Sequence, residues 1–509
     1  MISNSSKRDW ILYPFLFAIY PVSQLFAHNI EEAPATTVIR PLLLSLLGTV
    51  LLYVLLNLII RDRYKTALIT TMLLGFFFSY GHIYDYLENA SLFGFMFGRH
   101  RFIFPLWILV FGIGIWWAAR RKKSFQPLTT PLNVIAALLL LFPLAQIGVY
   151  SIKSYQYTAV NQATAAEIDS LQLSESQPSP DIYYIILDAY SRDDILKKFY
   201  QVDNTQFLSQ LSQMGFYIAR CSQSNYAQTQ LSLASSLNFN FLDALGREYT
   251  RGNTSRAGLS NYIQHSELRQ ALERLGYTTI AFDTGYDATR ILDAHPYLSG
   301  SKDEGINDFE NLFVRTTLAR LFSEGATLLN LPPDWEARDQ AHRQRILYTL
   351  DTLPTIPDIP GKKLVFAHMV IPHWPHVFGP NGEPVHEHTD SVTGYRNQVL
   401  FINKQIIPVV RAILAKSKTP PIIIIQGDHG SVIESPLRRM SILNAYYLPY
   451  NGAQNLYQSI SPVNTFRVIL NTYFGGKFEL LKDISYYSVY DQPFDYTIIP
   501  DTRAGCENK

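Results

Sequence analysis

Carboxylate and imidazole side chains directly follow two strand-like runs of the sequence. Residues 422–426 form a β-branched run typical of a buried strand, and Asp428 and His429 follow it within a turn. Residues 183–187 form a second run, which ends at Asp188. Ligands of open α/β sheets bind at the carboxyl ends of strands, and aspartate and neutral histidine are common ligands of zinc and manganese. The two runs therefore predict one metal site at a sheet edge.

A structural turn is the alternative for the Asp428-His429-Gly430 tripeptide alone. In such a turn the aspartate accepts backbone N–H groups and the glycine supplies a positive φ angle. A second strand that ends in an acid favours the metal site over the turn.

A hydroxyl and three histidines extend the set. Thr229 stands where a polar loop gives way to a helix-like apolar pattern. It is either the N-cap of that helix or a nucleophile whose phosphate adduct the helix N-terminus would stabilise. A metal on this hydroxyl would lower its pKa. His368, His373 and His376 stand at the end of another apolar run, where neutral imidazoles bind metal or a phosphoryl oxygen.

The elements that position these residues begin at residue 181. Strand-like runs alternate there with helical patterns, which predicts an α/β domain with a mainly parallel sheet covered by helices on both faces. Strands are predicted at 183–187, 215–219, 278–282, 363–370 and 422–426, and helices at 193–214, 261–275, 335–350 and 394–414. Residues 285–331 show neither pattern and are interpreted as a lid or an insertion.

The first third of the chain is apolar. Five segments without Asp, Glu, Lys or Arg are each about long enough to cross a hydrocarbon core of roughly 30 Å. They are residues 10–26, 41–60, 66–84, 102–119 and 131–152. Because charged residues inside a span usually mark a transport pathway, their absence predicts an anchor.

Basic residues near the span ends predict the orientation. They are more numerous on the side that carries residues 7–8, 61–65 and 120–123, which favours that side as cytoplasmic. The chain is therefore predicted to be a multi-pass protein of the cell membrane. Residues 1–154 would form a five-helix anchor, residues 155–180 a juxtamembrane linker and residues 181–509 an extracytoplasmic catalytic domain.

The composition excludes several classes of protein. A chain of 509 residues with a net charge of +1 has no global field for nucleic acid. Its 13% aromatic and 17% charged residues fit a protein that is part membrane and part globular. Two cysteines, Cys221 and Cys506, exclude a disulfide framework and a thiolate metal site. One bridge between them and two free thiols both remain open.

These motifs resemble the alkaline phosphatase and sulfatase superfamily. The overall plan is similar to lipoteichoic acid synthases and lipid A phosphoethanolamine transferases, which have five spans and an extracytoplasmic catalytic domain. The resemblance implies that Asp188 is the first metal carboxylate, that Asp428 and His429 are the closing ligands, and that Thr229 is the nucleophile as well as a ligand. The second zinc of phosphatases needs a further aspartate and two histidines, and this set is not identified in the sequence, so one divalent ion is expected, zinc or manganese in preference to calcium or magnesium.

The histidine motif carries a second part of this resemblance. His373, within Pro-His-x-Pro, is similar to the substrate-binding histidine of the family and is expected to be catalytic. His368 and His376 are expected beside it as substrate-binding residues.

Two departures argue against formylglycine-dependent sulfate hydrolysis. Cys221 is followed by Ser222-Gln223-Ser224-Asn225, so the Cys-x-Pro/Ala-x-Arg motif of sulfatases is absent. Asp188 is followed by Ala189 where sulfatases carry a second aspartate.

The predicted function is a metal-dependent transferase of a phosphoglycerol- or phosphoethanolamine-type group, acting through a phospho-threonine. A phospholipid would be the donor, an envelope glycan or lipid the acceptor, and no nucleic acid is expected. One alternative is a sulfatase-like hydrolase, either a phosphodiesterase or a sulfuric ester hydrolase. Another is a non-catalytic envelope binding protein. The sequence leaves the donor, the acceptor and the oligomeric state open.

Overall fold

The chain forms two compact units in the computed structural model. Unit 1 comprises Met1–Ile152 and Glu304–Trp335, and unit 2 comprises Lys153–Asp303 and Glu336–Lys509. The structure describes residues 10–30, 33, 35–88, 90–92, 95–96, 98–156, 168–173, 179–256, 258–300, 308–321, 334–385, 390–431, 435–501, 503, 505 and 506. The predicted catalytic domain, residues 181–509, includes residues 304–335, which belong to unit 1.

Unit 1 contains the five apolar helices that the sequence predicts. They are α1 (Tyr13–His28), α2 (Ile39–Ile60), α3 (Arg63–Leu87), α4 (His100–Arg120) and α5 (Thr129–Gln156). Large apolar side chains on their outer faces are exposed, among them Leu58 at 66% and Ile59 at 78%. Because a water-soluble surface rarely exposes so much contiguous apolar area, these faces fit contact with lipid.

Length and hydropathy agree with membrane spanning for four of these helices, α2 to α5. Helix α1 has 16 residues and is the shortest of the five. A helix of unit 2, Ser391–Lys416, is also long and apolar enough to qualify. Its apolar residues, however, pack in the core of unit 2, with Val399, Ile402 and Val410 fully buried.

A segment from the later part of the chain completes unit 1. This segment is α12 (Asp308–Thr316), which packs against the apolar helices. Unit 1 also contains an antiparallel pair of short strands, β1 (Ser91–Leu92) and β2 (Phe95–Met96). Phe309 contacts Phe26 edge-on, and Glu310 forms an ion pair with Arg40. The predicted lid or insertion at 285–331 is therefore partly a component of unit 1.

Unit 2 is built on one seven-stranded sheet. The strand order is β4-β9-β8-β3-β7-β5-β6, in which β8, β3, β7, β5 and β6 are parallel. At one edge β9 pairs antiparallel with β8, and β4 pairs antiparallel with β9. The bounds are β3 (Ile182–Leu187), β4 (Tyr217–Ile218), β5 (Thr278–Phe282), β6 (Tyr297–Leu298), β7 (Lys363–Met369), β8 (Ile422–Gln426) and β9 (Asn444–Tyr447). The predicted α/β fold with a mainly parallel sheet is confirmed.

The helices of unit 2 lie between these strands in sequence. They are α6 (Asp193–Tyr200), α7 (Thr205–Gln213), α8 (Thr229–Leu237), α9 (Leu242–Leu245), α10 (Leu259–Gln264), α11 (Glu267–Arg274), α13 (Asp334–Thr352), α14 (Ser391–Lys416), α15 (Pro436–Met440) and α16 (Pro462–Tyr473). The predicted helix 193–214 is two helices, because Gln201 adopts a left-handed φ of 55° and ends the first. The predicted helix 261–275 also divides, at Ser266, whose side chain caps α11 by accepting from Arg269 N.

Alternate residues of the central strands pack into two separate cores. Ile182, Tyr184 and Ile186 of β3 face one core, while the residues between them face the other. Helix α8 packs in the first core and α14 packs in the second. Because side chains alternate between the two faces of a strand, only every second residue at the strand ends points toward α8.

A disulfide bond and a small hairpin complete unit 2. Cys221 is bonded to Cys506, which resolves the alternatives that the sequence leaves open. The hairpin pairs β10 (Tyr486–Tyr487) with β11 (Thr497–Ile498). Most of the predicted linker 155–180 lies outside the described residues, but Ile168 and Leu171 within it are buried in the first core.

Candidate metal centre and nucleophile

The strand register brings three candidate ligands to one face of the sheet. Ile186 of β3 pairs with His368 of β7 and with Gln426 of β8. Asp188 and Asp428 each lie two residues beyond these paired positions. Because side chains alternate between the two faces of a sheet, both acids lie on the same face as Ile186, toward the core that contains α8. The carboxyl ends of three adjacent parallel strands therefore converge where α8 begins.

Helix α8 begins at the predicted nucleophile. Gln228 is the N-cap and makes no side-chain cap bond, so Thr229 is the first helical residue rather than the cap. Ser232, one turn along, donates its hydroxyl to the carbonyl oxygen of Asp428 at 2.7 Å, and Ser224 donates to the same oxygen at 2.6 Å. These two bonds join α8 and the segment before it to the loop that carries Asp428 and His429, here called the metal loop.

The four predicted metal ligands lie together. Thr229 Oγ1 is 3.2 Å from His429 Nε2. The same Nε2 is 3.6 Å from Asp188 Oδ1 and 3.5 Å from Asp428 Oδ2. Asp188, Asp428 and His429 are all buried, so a cation between them would be shielded from bulk water.

Close backbone packing explains the glycines of the Gly-Asp-His-Gly motif. A Cβ atom on Gly427 would lie 2.5 Å from the carbonyl oxygen of Tyr190, and one on Gly430 would lie 2.1 Å from that of Arg438. Both glycines are therefore required by close approach, and the positive φ of a structural turn is not what selects them.

Backbone strain follows the first acid. Ala189 has a φ of 65°, a left-handed conformation that costs a non-glycine residue about 1–3 kcal/mol. Its N–H donates to Asp428 Oδ1 at 3.0 Å, and its carbonyl accepts from the Tyr395 hydroxyl at 2.7 Å. This strained turn joins Asp188 to the second acid and leaves Asp428 Oδ2 free for another partner.

Hydrogen bonding orients the His429 imidazole toward the acids. Nδ1 lies 2.8 Å from the Gly430 carbonyl, which can only accept, so Nδ1 carries the proton and Nε2 presents its lone pair to the cluster. Burial and the neighbouring Arg439 lower the pKa of His429 to about 4. The imidazole is therefore neutral at neutral pH, as a metal ligand must be.

His368 lies within this buried cluster and not at its edge. The residue is 1% exposed, and its Nε2 is 3.3 Å from Asp188 Oδ2. Its Nδ1 lies 2.9 Å from the Thr289 hydroxyl, which also lies 3.1 Å from the Tyr286 carbonyl. If Thr289 donates to that carbonyl, it accepts from His368 Nδ1, and Nε2 again presents a lone pair to the acids.

The donor set fits a divalent metal ion. Ligand atoms of Asp188, His368 and Asp428 all lie within 4.8 Å of one another. Asp188 Oδ1, His368 Nε2 and Asp428 Oδ2 are buried and have no hydrogen-bond partner among the described residues, which is costly unless another group occupies the space between them. Burial acts to raise the pKa of the Asp188 carboxyl, but the surrounding histidines, His373 foremost, lower it below its usual value. The Asp188 carboxylate is thus suited to bind a cation.

The other two predicted histidines lie differently. The His373 ring is 6.1 Å from the His429 ring, and its backbone N–H donates to the Asp188 carbonyl at 3.1 Å. Its Nδ1 donates to the Trp374 carbonyl at 2.7 Å, which leaves Nε2 for a ligand. His376 packs against Gly394, where a Cβ atom would lie 2.4 Å from Nδ1. Burial and His373 lower the pKa of His376 to about 4.

Two residues near the cluster carry little signal in the sequence. His342 on α13 is buried, and in the part of the chain that the structure describes its Nε2 has no hydrogen-bond partner. Burial and Arg345 lower the pKa of His342 to about 3, with His373 acting in the same direction and Asp188 opposing. Arg439 follows the metal loop, and its Nε donates to the Ala227 carbonyl at 2.5 Å. Burial lowers the pKa of Arg439, while Asp428 and Asp188 raise it.

The disulfide bond agrees with the missing formylglycine motif. Cys221 is bonded to Cys506, so it is not converted to an aldehyde. Disulfides are typical of proteins outside the reducing cytosol. The bond therefore fits the extracytoplasmic location that the charge distribution predicts.

The chain shows weak structural similarity to solved structures, three of which are described here. The C-terminal periplasmic domain of EptC from Escherichia coli, in complex with zinc, is 13% identical, with 62% of this chain and 92% of that chain covered and a TM-score of 0.37. The integral membrane lipooligosaccharide phosphoethanolamine transferase A from Neisseria meningitidis is 12% identical, with 90% and 94% covered and a TM-score of 0.38. A 2-O GAG sulfatase is 11% identical, with 61% and 77% covered and a TM-score of 0.37.

No protein-family profile matches the chain, and no curated protein sequence matches it.

Proposed function

We propose that the chain is a membrane-anchored, metal-dependent enzyme that transfers a phosphoryl-linked headgroup through a covalent adduct on Thr229. The observation that carries this proposal is the position of Thr229 Oγ1. It lies at the first residue of a helix, 3.2 Å from His429 Nε2, beside two buried carboxylates. A nucleophilic hydroxyl needs an activating group and an electrostatic environment for its adduct, and this position offers both.

The metal would be held by buried side chains of three strand ends. Asp188, Asp428 and His429 supply oxygen and nitrogen ligands, and His368 offers a further nitrogen. This mixture of donors suits zinc or manganese. When bound, the ion would lower the pKa of the Thr229 hydroxyl and offset negative charge on the phosphoryl group.

The residues of the chain then divide the chemical step between them. Thr229 Oγ1 forms a bond to phosphorus and gives its proton to solvent, while the ester bond to the donor alcohol breaks. His373, whose Nε2 remains available, donates a proton to the departing alkoxide. In the second half, an acceptor hydroxyl loses its proton to His373 and attacks phosphorus, while the bond to Thr229 breaks and the Thr229 oxygen regains a proton from solvent. The helix N-terminus stabilises the negative charge of the adduct.

A lipid donor fits the organisation of the chain. The same polypeptide that carries the metal site also carries five apolar helices with exposed faces. A membrane anchor keeps an enzyme at the surface where phospholipid headgroups are concentrated. We therefore propose a phospholipid, of phosphatidylethanolamine or phosphatidylglycerol type, as donor and an envelope lipid or glycan as acceptor, on the extracytoplasmic side.

The test uses the full chain in lipid nanodiscs that contain phosphatidylethanolamine or phosphatidylglycerol with a radiolabelled headgroup. Transfer of label to an added lipid or glycan acceptor, together with zinc- or manganese-dependent diacylglycerol release, supports the proposal. Release of the labelled headgroup to water alone supports the phosphodiesterase alternative. Metal binding without turnover on any ester supports the non-catalytic alternative and contradicts the proposal.

A further inference from the structure

Arg439 connects the two segments that carry the candidate ligand His429 and the candidate nucleophile Thr229. It lies on α15, just after the metal loop, and its carbonyl accepts from the Gly430 N–H at 2.6 Å. Its side-chain Nε donates to the carbonyl of Ala227 at 2.5 Å, two residues before Thr229. The backbone of Arg439 is therefore fixed beside His429, and its guanidinium is fixed at the approach to α8.

One nitrogen of this guanidinium is buried and unpaired. Among the residues that the structure describes, Arg439 Nη1 makes no hydrogen bond. A buried cationic donor without an acceptor is unfavourable, so the position fits a charged acceptor that arrives with a ligand. The nearby acids Asp188 and Asp428 face the candidate metal, and the Thr229 hydroxyl adjoins the same cluster.

We propose that Arg439 forms an oxyanion-binding subsite that holds a non-bridging oxygen of the tetrahedral phosphoryl or sulfuryl group at Thr229. This inference rests on the proposed function, because it assumes that Thr229 receives such a group. Guanidinium suits this role because it presents several N–H donors in one plane: Nε stays on the Ala227 carbonyl while Nη1 binds the anion. A lysine offers a point charge and cannot reproduce both contacts with this geometry.

The adjacent arginine offers a matched control. The guanidinium of Arg438 lies over the Phe199 ring, with Cζ 3.4 Å from the ring centroid. Its Nε is also buried without a hydrogen-bond partner. Arg438 thus shares the helix, the charge and a buried unpaired donor with Arg439, but its side chain contacts α6 instead of the segment before Thr229.

The experiment measures binding of inorganic phosphate and inorganic sulfate to the full-length, zinc-loaded protein in detergent by calorimetry. We compare the parent protein with Arg439→Gln and Arg438→Gln. Glutamine keeps an amide donor for the Ala227 carbonyl and removes the charge. The expected result is that Arg439→Gln weakens phosphate binding by about 10- to 100-fold at unchanged zinc content, while Arg438→Gln changes it by less than about twofold. The stronger of the two anions in the parent protein indicates whether the site favours phosphoryl or sulfuryl groups.

Equal phosphate affinity in Arg439→Gln and the parent protein would overturn the inference. If Arg439→Gln loses zinc or fails to fold, Arg439→Lys decides: weaker phosphate binding at full zinc content supports the subsite, and unchanged binding refutes it. The result is separable from the proposed function. Failure of headgroup transfer in the parent protein contradicts the transferase, whereas failure of Arg439→Gln to weaken phosphate binding contradicts only the subsite.

Discussion

Thr229 Oγ1 lies 3.2 Å from Nε2 of His429, although 200 positions separate the two residues in the chain. One side chain begins a helix and the other follows a central strand of the sheet. Their contact depends on the two serine hydroxyls that bind the Asp428 carbonyl and hold α8 against the metal loop. A nucleophile, a ligand and a helix N-terminus thus occupy one place, and the predictions below test what each contributes.

Replacement of Thr229 by alanine should abolish headgroup transfer and leave the metal largely bound. The variant removes the only atom that forms the covalent adduct, but it keeps both acids and both buried histidines of the cluster. We expect turnover to fall roughly a thousandfold or more. Transfer of labelled headgroup and zinc content by mass spectrometry measure the two effects.

A serine at the same position distinguishes the contribution of the hydroxyl from that of the threonine methyl group. Thr229→Ser retains the nucleophilic oxygen, so we expect it to retain transfer and to accumulate label on the protein in the absence of acceptor. Full activity of the alanine variant would exclude a covalent role for this residue.

His368 and His373 should affect different steps. His368 lies within the buried cluster, and His373 lies beside it with Nε2 available. We expect His368→Ala to weaken zinc binding at least about tenfold. We expect His373→Gln to keep the zinc affinity and to lower turnover by about 10²–10⁴, the usual contribution of a general acid or base.

Competition with a chromophoric chelator measures the zinc affinity of both variants, and headgroup transfer measures turnover. Parent-like zinc affinity in His368→Ala would return this residue to the substrate-binding role that the sequence predicts. Loss of zinc in His373→Gln would make His373 a ligand.

The strand ends of the candidate site are predictable from the sequence because they depend on local patterns. Runs of β-branched residues predict buried strands, and an acid just after such a run lies at the carboxyl edge of a parallel sheet. The pattern does not predict which face of the sheet a residue occupies. The place of His368 in the cluster follows from its pairing with Ile186, a contact between residues 182 positions apart that the sequence pattern does not contain.

Arg439 illustrates a second limit. A pair of arginines on a short helix is typical of a solvated face, and the sequence contains nothing that distinguishes the two. Only the packed structure places one guanidinium on the Ala227 carbonyl and the other on the Phe199 ring. The division of the predicted helix 193–214 is similar, because a left-handed Gln201 carries no proline or glycine signal.

Removal of the disulfide bond by Cys221→Ser and Cys506→Ser together should lower the stability of unit 2. The bond joins residues 285 positions apart, so its loss frees a long loop in the unfolded state. We expect the free energy of unfolding to fall by about 2–5 kcal/mol. The ion pair of Arg192 with Asp501, at 2.7 Å, still holds the C-terminal segment and should favour the lower part of that range.

Thermal unfolding followed by tryptophan fluorescence, with and without a reductant, measures this effect. A reductant should lower the melting temperature of the parent protein and leave that of the double variant unchanged. Equal melting temperatures of the two proteins under oxidising conditions would show that the bond does not form.

Glu267 should make unit 2 less stable as the pH rises through the range of about 4.5 to 7. Its Oε2 is buried without a hydrogen-bond partner, and burial raises its pKa from 4.5 to about 7, although Arg467 and Arg274 oppose the shift. Between these two values the folded state keeps a proton that the unfolded state releases. The stability is therefore greatest below the unfolded pKa and falls until the folded pKa is passed.

Replacement of Glu267 by glutamine removes this titration while it keeps the shape of the side chain. We expect Glu267→Gln to match the parent protein near pH 4.5 and to melt at a higher temperature than the parent at pH 8, where the parent buries an ionised carboxylate. The control is Glu479→Gln, because Glu479 is exposed and its replacement should leave the pH profile unchanged. A difference in melting temperature between Glu267→Gln and the parent that stays constant from pH 4.5 to 8 would show that Glu267 does not titrate in this range. The buried carboxylate would then have to be ionised throughout, with Arg467 and Arg274 outweighing the effect of burial.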